Sequence, residues 1–174
     1  PPFPTEQALA EIESSFGQPA SQLFASFEHE PLAAASIAQV HGARLHSGDD
    51  VVVKILRPNV RELVRRDLEV MYALARLAER WWPESRRLRP VDIVAEYEKT
   101  ILNELDLVRE AANAAQLRRN WLGSPLIYVP QVYFDYCRKS VMVMERIHGI
   151  PIDDMDALQA AGVNIPRLAA NGVE

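Results

Sequence analysis

Ala33-Ala34-Ala35-Ser36-Ile37-Ala38-Gln39-Val40-His41, with Val51-Val52-Val53-Lys54 a short way downstream, decides how this chain is read. From Ile37 to Leu45 apolar and polar residues roughly alternate, the period of a half-buried strand. Ser47-Gly48-Asp49-Asp50 is made of turn residues. Val51 to Leu56 is short and β-branched and reads as the return strand, ended by Pro58. Upstream, Phe27 to Leu32 reads as another strand. Ala33 to Ser36 is then a loop of small residues between the first two strands. Side chains this small let backbone approach a ligand, as glycine-rich loops do around phosphates.

Lys54 ends a run of three valines and precedes Ile55-Leu56. A buried ammonium is costly unless compensated, so this position asks for a carboxylate, a phosphate or solvent at a sheet edge. An edge lysine that discourages strand addition satisfies the same pattern. Downstream, Glu104, Asp106 and Glu110 put three acids within seven residues. On one continuous helix Asp106 and Glu110 share a face and Glu104 points elsewhere. These acids read either as partners for Lys54 or as a solvated face balanced by Arg109, Arg118 and Arg119.

The rest of the chain frames these elements. Thr5 is the expected cap of a helix from about Glu6 to Phe16, broken by Gly17-Gln18-Pro19, with a short helix near Ala20–Ala25. Val60, Leu63, Val64, Leu68, Met71, Leu74, Leu77, Ala78 and Trp81 recur at helical spacing up to a stop at Pro83. A second long helix is expected in one run from Pro90 to about Asn120, with an apolar stripe of Val94, Tyr97, Ile101, Leu105, Val108, Ala112 and Ala115. Val129–Tyr136 and Ser140–Ile147 read as a strand pair, followed by short helices near Asp154–Ala161 and Ile165–Asn171. The predicted class is α+β: a five-stranded antiparallel sheet covered by long helices.

Composition bounds the function. The 174 residues are 48% hydrophobic and 25% charged, enough to build a core. The net charge of −5, with both signs interspersed, argues against a general nucleic-acid binder. Cys137 alone makes no intramolecular disulfide, and His29, His41, His46 and His148 form no ligand pair at helical spacing, so no metal is assigned. No apolar run approaches the roughly 20 residues that span a bilayer, and no signal peptide appears. The opening Pro1-Pro2-Phe3-Pro4 suggests an excised segment.

Small-residue loop, strand lysine and helix acids, in that order, follow the nucleotide-clasping hairpin arrangement of protein kinases. More specifically, the chain resembles the UbiB family of atypical kinases, tied to ubiquinone biosynthesis. The residues that carry this are Ala33 to His41, Val51 to Lys54 with Arg57-Pro58, Glu104-Leu105-Asp106, Arg109-Glu110-Ala111-Ala112-Asn113 and Val143-Met144-Glu145. The resemblance runs from about Pro2 to the end, and the alanine motif is its most specific part, since most kinases have glycines there.

The resemblance implies a kinase-like N-lobe over residues 1–147, and a hinge exit with the first helices of a C-lobe over 148–174. It implies ATP or ADP as ligand. Ala33, Ala34, Ala35 and Ser36 would cover the phosphates, and Lys54 would contact them, held by an ion pair with Glu110. Val40 and Val52 would cover the adenine, Met144 would be the gatekeeper, and Glu145 and Ile147 would offer hinge backbone. Glu104 and Asp106 match the family's regulatory Glu-x-Asp motif. The Lys-x-Gly-Gln motif that faces it in the family is absent, and Phe16-Gly17-Gln18 reads as a helix stop. The catalytic His-x-Asp…Asn segment and the Asp-Phe-Gly metal ligands are absent from these residues, so the chain alone is expected not to turn over ATP, and Mg²⁺ is expected only with the missing C-lobe.

Two readings of the whole protein follow. In one it is an ATPase, or a small-molecule or lipid kinase, that supports isoprenoid-quinone synthesis. In the other it is a nucleotide-gated, non-enzymatic scaffold that organises quinone-synthesis proteins or handles lipid intermediates. Trp81-Trp82 beside Arg80, Arg86, Arg87 and Arg89 reads either as a lipid-interface cluster or as packing at a helix end. The resemblance implies peripheral association with the cytoplasmic side of a bacterial inner membrane, or a mitochondrial matrix location in a eukaryote.

Overall fold

Strands β1 (Phe24–Ala34), β2 (Ala38–Leu45) and β3 (Asp50–Leu56) form an antiparallel meander, and β4 (Val141–Glu145) pairs with β3 to give the order β1-β2-β3-β4. The computed structural model describes residues 2–82 and 87–172, so the expected stop at Pro83 and the Arg86 of the basic cluster lie outside the described residues. Turn residues at 46–49 close the β2–β3 hairpin, with Gly48 at φ 98°, a conformation that glycine adopts without a Cβ penalty.

Alternation along the strands gives the sheet two faces. One carries Ala43, Leu45, Val51, Val53, Ile55, Val141 and Val143, all buried with Ala8 and Ile12 of helix α1 (Thr5–Phe16) and with Leu23 of α2 (Ala20–Leu23). The other side packs through Ala38, Leu56 and Met142 against Leu105, Leu107 and Ala111. Helix α3 (Val60–Trp81) pairs with α4 (Pro90–Glu104) through a third cluster built on Leu68, Ala75 and Val94. Helix α5 (Leu107–Asn120) follows α4, and α6 (Met155–Ala160) and α7 (Ile165–Asn171) close the chain.

Five expectations need correction. The helix expected from Pro90 to Asn120 is two helices. Asp106 accepts a bond from the Val108 N–H at 3.1 Å and caps α5, while the Leu107 N–H turns away to donate to the Lys139 carbonyl at 3.0 Å. An aspartate whose side chain competes for backbone N–H groups favours such a start over helix interior. The break shifts the helical phase, so Leu107 and Ala111 are buried, whereas Val108 and Ala112 of the expected stripe face outward.

The sheet has four strands rather than five. Residues 129–136 make one isolated bridge, Val132 to Met144, and then a 3₁₀ turn at Phe134–Tyr136. Pro130 has no N–H to give a ladder, and the Gln131 N–H goes to the Glu145 carboxylate instead of a strand carbonyl. The stripe on α3 is also narrower than expected: Val60, Leu68 and Ala75 are buried, but Leu63, Leu74, Leu77 and Trp81 are exposed.

At the start of the chain, Thr5 is not a cap. Pro4 precedes α1, and the Thr5 hydroxyl donates to the His29 carbonyl at 2.7 Å, tying α1 to β1. The small-residue loop is shorter than Ala33 to Ser36, because β1 runs through Ala34 and pairs with Gln39.

Candidate functional site

The β1–β2 connection is a tight reversal, with the Ala35 N–H donating to the Ala38 carbonyl at 2.8 Å. Arg57 holds it from beneath. Its guanidinium donates to the carbonyls of Ser36 at 3.1 Å and Ala35 at 3.2 Å, and its own N–H donates to Ile37 at 2.8 Å. The same guanidinium lies 5.2 Å from the Phe3 ring centroid, a cation–π contact. The loop backbone is therefore fixed while Ala33, Ala34, Ala35 and Ser36 stay exposed.

On the α5-facing side, Lys54 of β3 reaches Glu110 in the first turn of α5. Its Nζ donates to both carboxylate oxygens, at 2.6 and 2.8 Å. The helix reaches this position because Asp106 starts it one turn earlier, so the cap sets the ion pair's geometry. Together with Asn103, Glu104, Arg109 and Asn113, the pair lines a polar cleft of about 320 Å³. Arg109 donates to the Asn103 side chain across the α4–α5 break. Asp106 turns its side chain to the Val108 N–H, whereas Glu104, expected to point away from Glu110, lines the cleft with it across the α4–α5 break. Asp106 is spent on the cap, and Glu104 is exposed at the last residue of α4.

Val40 sits opposite Lys54, and Val52 sits opposite both Gly42 and Met144. Val40, Val52, Lys54 and Met144 are half-buried, while their neighbours facing α1 are buried. A short apolar wall therefore continues from the lysine toward the end of β4. Glu145 follows Met144, and Ile147 is half exposed beyond it.

Glu145 holds the 128–131 segment. Its carboxylate accepts from the Tyr128 hydroxyl at 2.7 Å and the Gln131 N–H at 3.0 Å, and its N–H donates to the Gln131 carbonyl at 2.8 Å. The Gln131 amide, then the tyrosine, hold this carboxyl below its ordinary value. A glutamate chosen from sequence for its backbone is thus also a structural side chain.

Sequence reading passed over Gln39 and His41, the two fully buried polar side chains of the described core. Phe3 donates its N–H to Gln39 Oε1 at 3.0 Å, and Gln39 Nε2 donates to the Phe3 carbonyl at 3.3 Å and to His41 Nε2 at 2.8 Å. That leaves His41 Nδ1–H to donate to the Glu28 carbonyl at 2.9 Å. Burial pushes the His41 imidazole below its ordinary value. The signal was present in the sequence: two polar residues two positions apart on an otherwise apolar face. Cys137 is buried against the Tyr133 carbonyl at 3.3 Å, and burial raises its thiol pKa.

Among the described residues, no group of three or more His, Cys, Asp or Glu side chains stands close enough to hold a metal ion. No described helix is long and apolar enough to cross a membrane.

A twisted antiparallel sheet with a small-residue hairpin, a strand lysine bound to a helix glutamate and a polar cleft beside them is a kinase-like α+β fold. The profile of the ABC1 atypical kinase-like domain matches residues 1–174, and the chain belongs to that family. It is 59% identical over its whole length to a protein named Probable protein kinase UbiB from Marinobacter nauticus, of which it covers 32%. It is 58% identical over its whole length to one of the same name from Pseudomonas paraeruginosa, covering 33% of that protein. The chain spans about a third of the length of these curated relatives. Among solved structures it is similar to the complex of Rv3197 with erythromycin from Mycobacterium tuberculosis, with TM-score 0.74 and 30% identity over 88% of this chain and 38% of that one.

Proposed function

We propose that this chain is the nucleotide-binding lobe of a UbiB-like atypical kinase or ATPase that supports ubiquinone biosynthesis. The bidentate Lys54–Glu110 pair beside a fixed, exposed small-residue loop carries the reading. In kinases a strand lysine held by a helix glutamate meets the nucleotide phosphates. Lys54 and Glu110 take those roles here, with Ala33, Ala34, Ala35 and Ser36 lying over the phosphates.

The donor set fits a nucleotide. Val40, Val52 and Met144 supply a half-buried apolar wall for a base, and Glu145 and Ile147 supply backbone at its edge. Lys54 supplies the cation. In this reading Mg²⁺ ligands and a catalytic base are expected from a C-lobe outside these residues. Residues 1–147 form the lobe, and 148–174 lead out of its hinge. Glu104 and Asp106 are a regulatory motif in this reading, Asp106 acting through the cap that aims Glu110.

The relatives' name supports a place in quinone biosynthesis; a lipid or quinone precursor is the substrate class that this reading expects. The exposed Trp81 and Trp82, beside Arg80 and Arg87, support a peripheral contact with a lipid surface.

Calorimetric titration of the full-length protein with ATP and ADP in Mg²⁺ tests the reading. Saturable binding weakened by Lys54→Ala supports it. A well-folded protein that binds neither nucleotide contradicts it.

A further inference from the structure

On the α5-facing side of the sheet, cross-strand pairing sets Gly42, Val52 and Met144 in one transverse row. The next row toward the β4 exit holds Arg44 and Asp50, and Arg146 joins it by donating its N–H to the Asp50 carbonyl at 3.1 Å. The first of these rows has a gap, because Gly42 brings no side chain.

Glu28 fills that gap from strand β1. Pairing with β2 runs Phe27 to Ala43 and resumes at Pro31 to His41, so β1 bulges outward between them. A bulge re-aims a side chain, and here the Glu28 carboxyl folds over Gly42. A Cβ on Gly42 would lie 2.4 Å from the Glu28 carboxyl carbon. His41 fixes the bulge from the opposite face through the Glu28 carbonyl. The Glu28 carboxylate then pairs with the Arg146 guanidinium at 2.5 Å, 118 residues away in sequence. The ion pair joins the first strand of the hairpin to the exit of β4 across the Gly42–Val52 row.

We propose that the Glu28–Arg146 pair is a latch controlling access to the base end of the cleft, and that these two residues set how readily a nucleoside diphosphate or triphosphate enters. The proposal rests on the nucleotide reading above. A planar base seated on Val52 and Met144 meets the pair, which must swing aside to admit it. The latch is built to open. Its side chains are 47% and 25% exposed, and ion pairs this accessible are weak. Gly42 makes room for the closed position, and both charges find water when the latch opens.

The test uses full-length protein and a fluorescent N-methylanthraniloyl-ADP with Mg²⁺, followed by stopped flow and equilibrium titration. Glu28→Gln and Arg146→Gln each remove the attraction. Gly42→Ala leaves both charges in place but pushes the carboxylate off its seat. All three are expected to bind about two- to fivefold more tightly, the gain expected from relieving one exposed ion pair, mainly through faster association. The charge-swapped Glu28→Arg/Arg146→Glu protein is expected to return to the wild-type affinity. Thermal melting confirms that each variant is folded.

Equal or weaker binding in the folded Gly42→Ala and Arg146→Gln proteins overturns the latch and leaves the nucleotide reading standing. Absence of binding in the wild type overturns both.

Discussion

Lys54 and Glu110 stand 56 positions apart in sequence, yet the lysine ammonium donates to both oxygens of the glutamate at 2.6 and 2.8 Å. The contact joins the middle of the sheet to the first turn of α5. It depends on three local features: a strand that presents the lysine toward α5, a cap at Asp106 that starts the helix one turn before Glu110, and Leu105, Leu107 and Ala111, which hold the helix to Met142.

Glu110→Gln tests what the pair is for. The lysine and glutamate side chains are 24% and 40% exposed, so solvent screens much of the attraction, and the stability cost is expected to stay below about 1 kcal/mol. Nucleotide affinity is expected to fall more, by about tenfold, because the unheld lysine samples positions away from the phosphates. A melt and an ADP titration on the same sample separate the two effects. A large loss of stability with unchanged affinity would mean that the pair is structural.

Asp106 separates two roles that its motif confounds. If it acts through the cap, Asp106→Asn and Asp106→Ser retain the bond to the Val108 N–H and change little. Asp106→Ala is expected to cost about 1 kcal/mol, or roughly 2–4 °C in Tm for a domain of this size. Equal damage from Asn and Ala would show that the charge matters rather than the cap.

His41 predicts a pH dependence. Its folded value lies below the ordinary 6.5, so the unfolded chain takes up a proton as pH falls below 6.5 while the folded chain does not. The contribution of neutral His41 is complete above that value and is lost progressively as pH falls toward its folded pKa, with a slope of up to about 1.4 kcal/mol per pH unit. Denaturant melts between pH 7.5 and 5 should show a flatter profile in His41→Gln than in the wild type. Parallel profiles would falsify this assignment.

Glu145 gives a second pH term in a lower window. Its folded value lies below the ordinary 4.5, so its contribution is full above that pH and is lost as pH falls through the folded value. Glu145→Ala removes the acceptor for Tyr128 and Gln131 together. It is expected to cost about 1–2 kcal/mol at neutral pH and to speed amide exchange over residues 128–133. Unchanged exchange there would place the anchor elsewhere.

Much of the fold was legible. The hairpin from Ala38 to Leu56 could be read because alternation, a turn cluster and a β-branched run agree there. The span of α3 was equally clear from its long periodic pattern. What escaped depended on competition between local and distant partners. The break at Asp106 is decided by one side chain capturing the Val108 N–H and by Lys139 receiving the Leu107 N–H from another part of the chain. The missing fifth strand is decided by Pro130 and by the Glu145 carboxylate taking the Gln131 N–H that a ladder would otherwise pair. In the candidate site, Lys54 and the alanine loop stood out because lysine in an apolar strand is unusual. Glu110 was one of three acids, and only the cap shows why it faces the lysine. Gln39, His41 and the Glu28–Arg146 pair were missed because their meaning lies in cross-strand register, which no short window contains.

The most direct test of the central claim is amide hydrogen exchange on the full-length protein with and without Mg²⁺ and ADP. The account predicts added protection in Ala33–Val40, around Lys54 and in Met144–Ile147, lost in Lys54→Ala. Protection confined to regions away from these segments, with ADP bound, would contradict it.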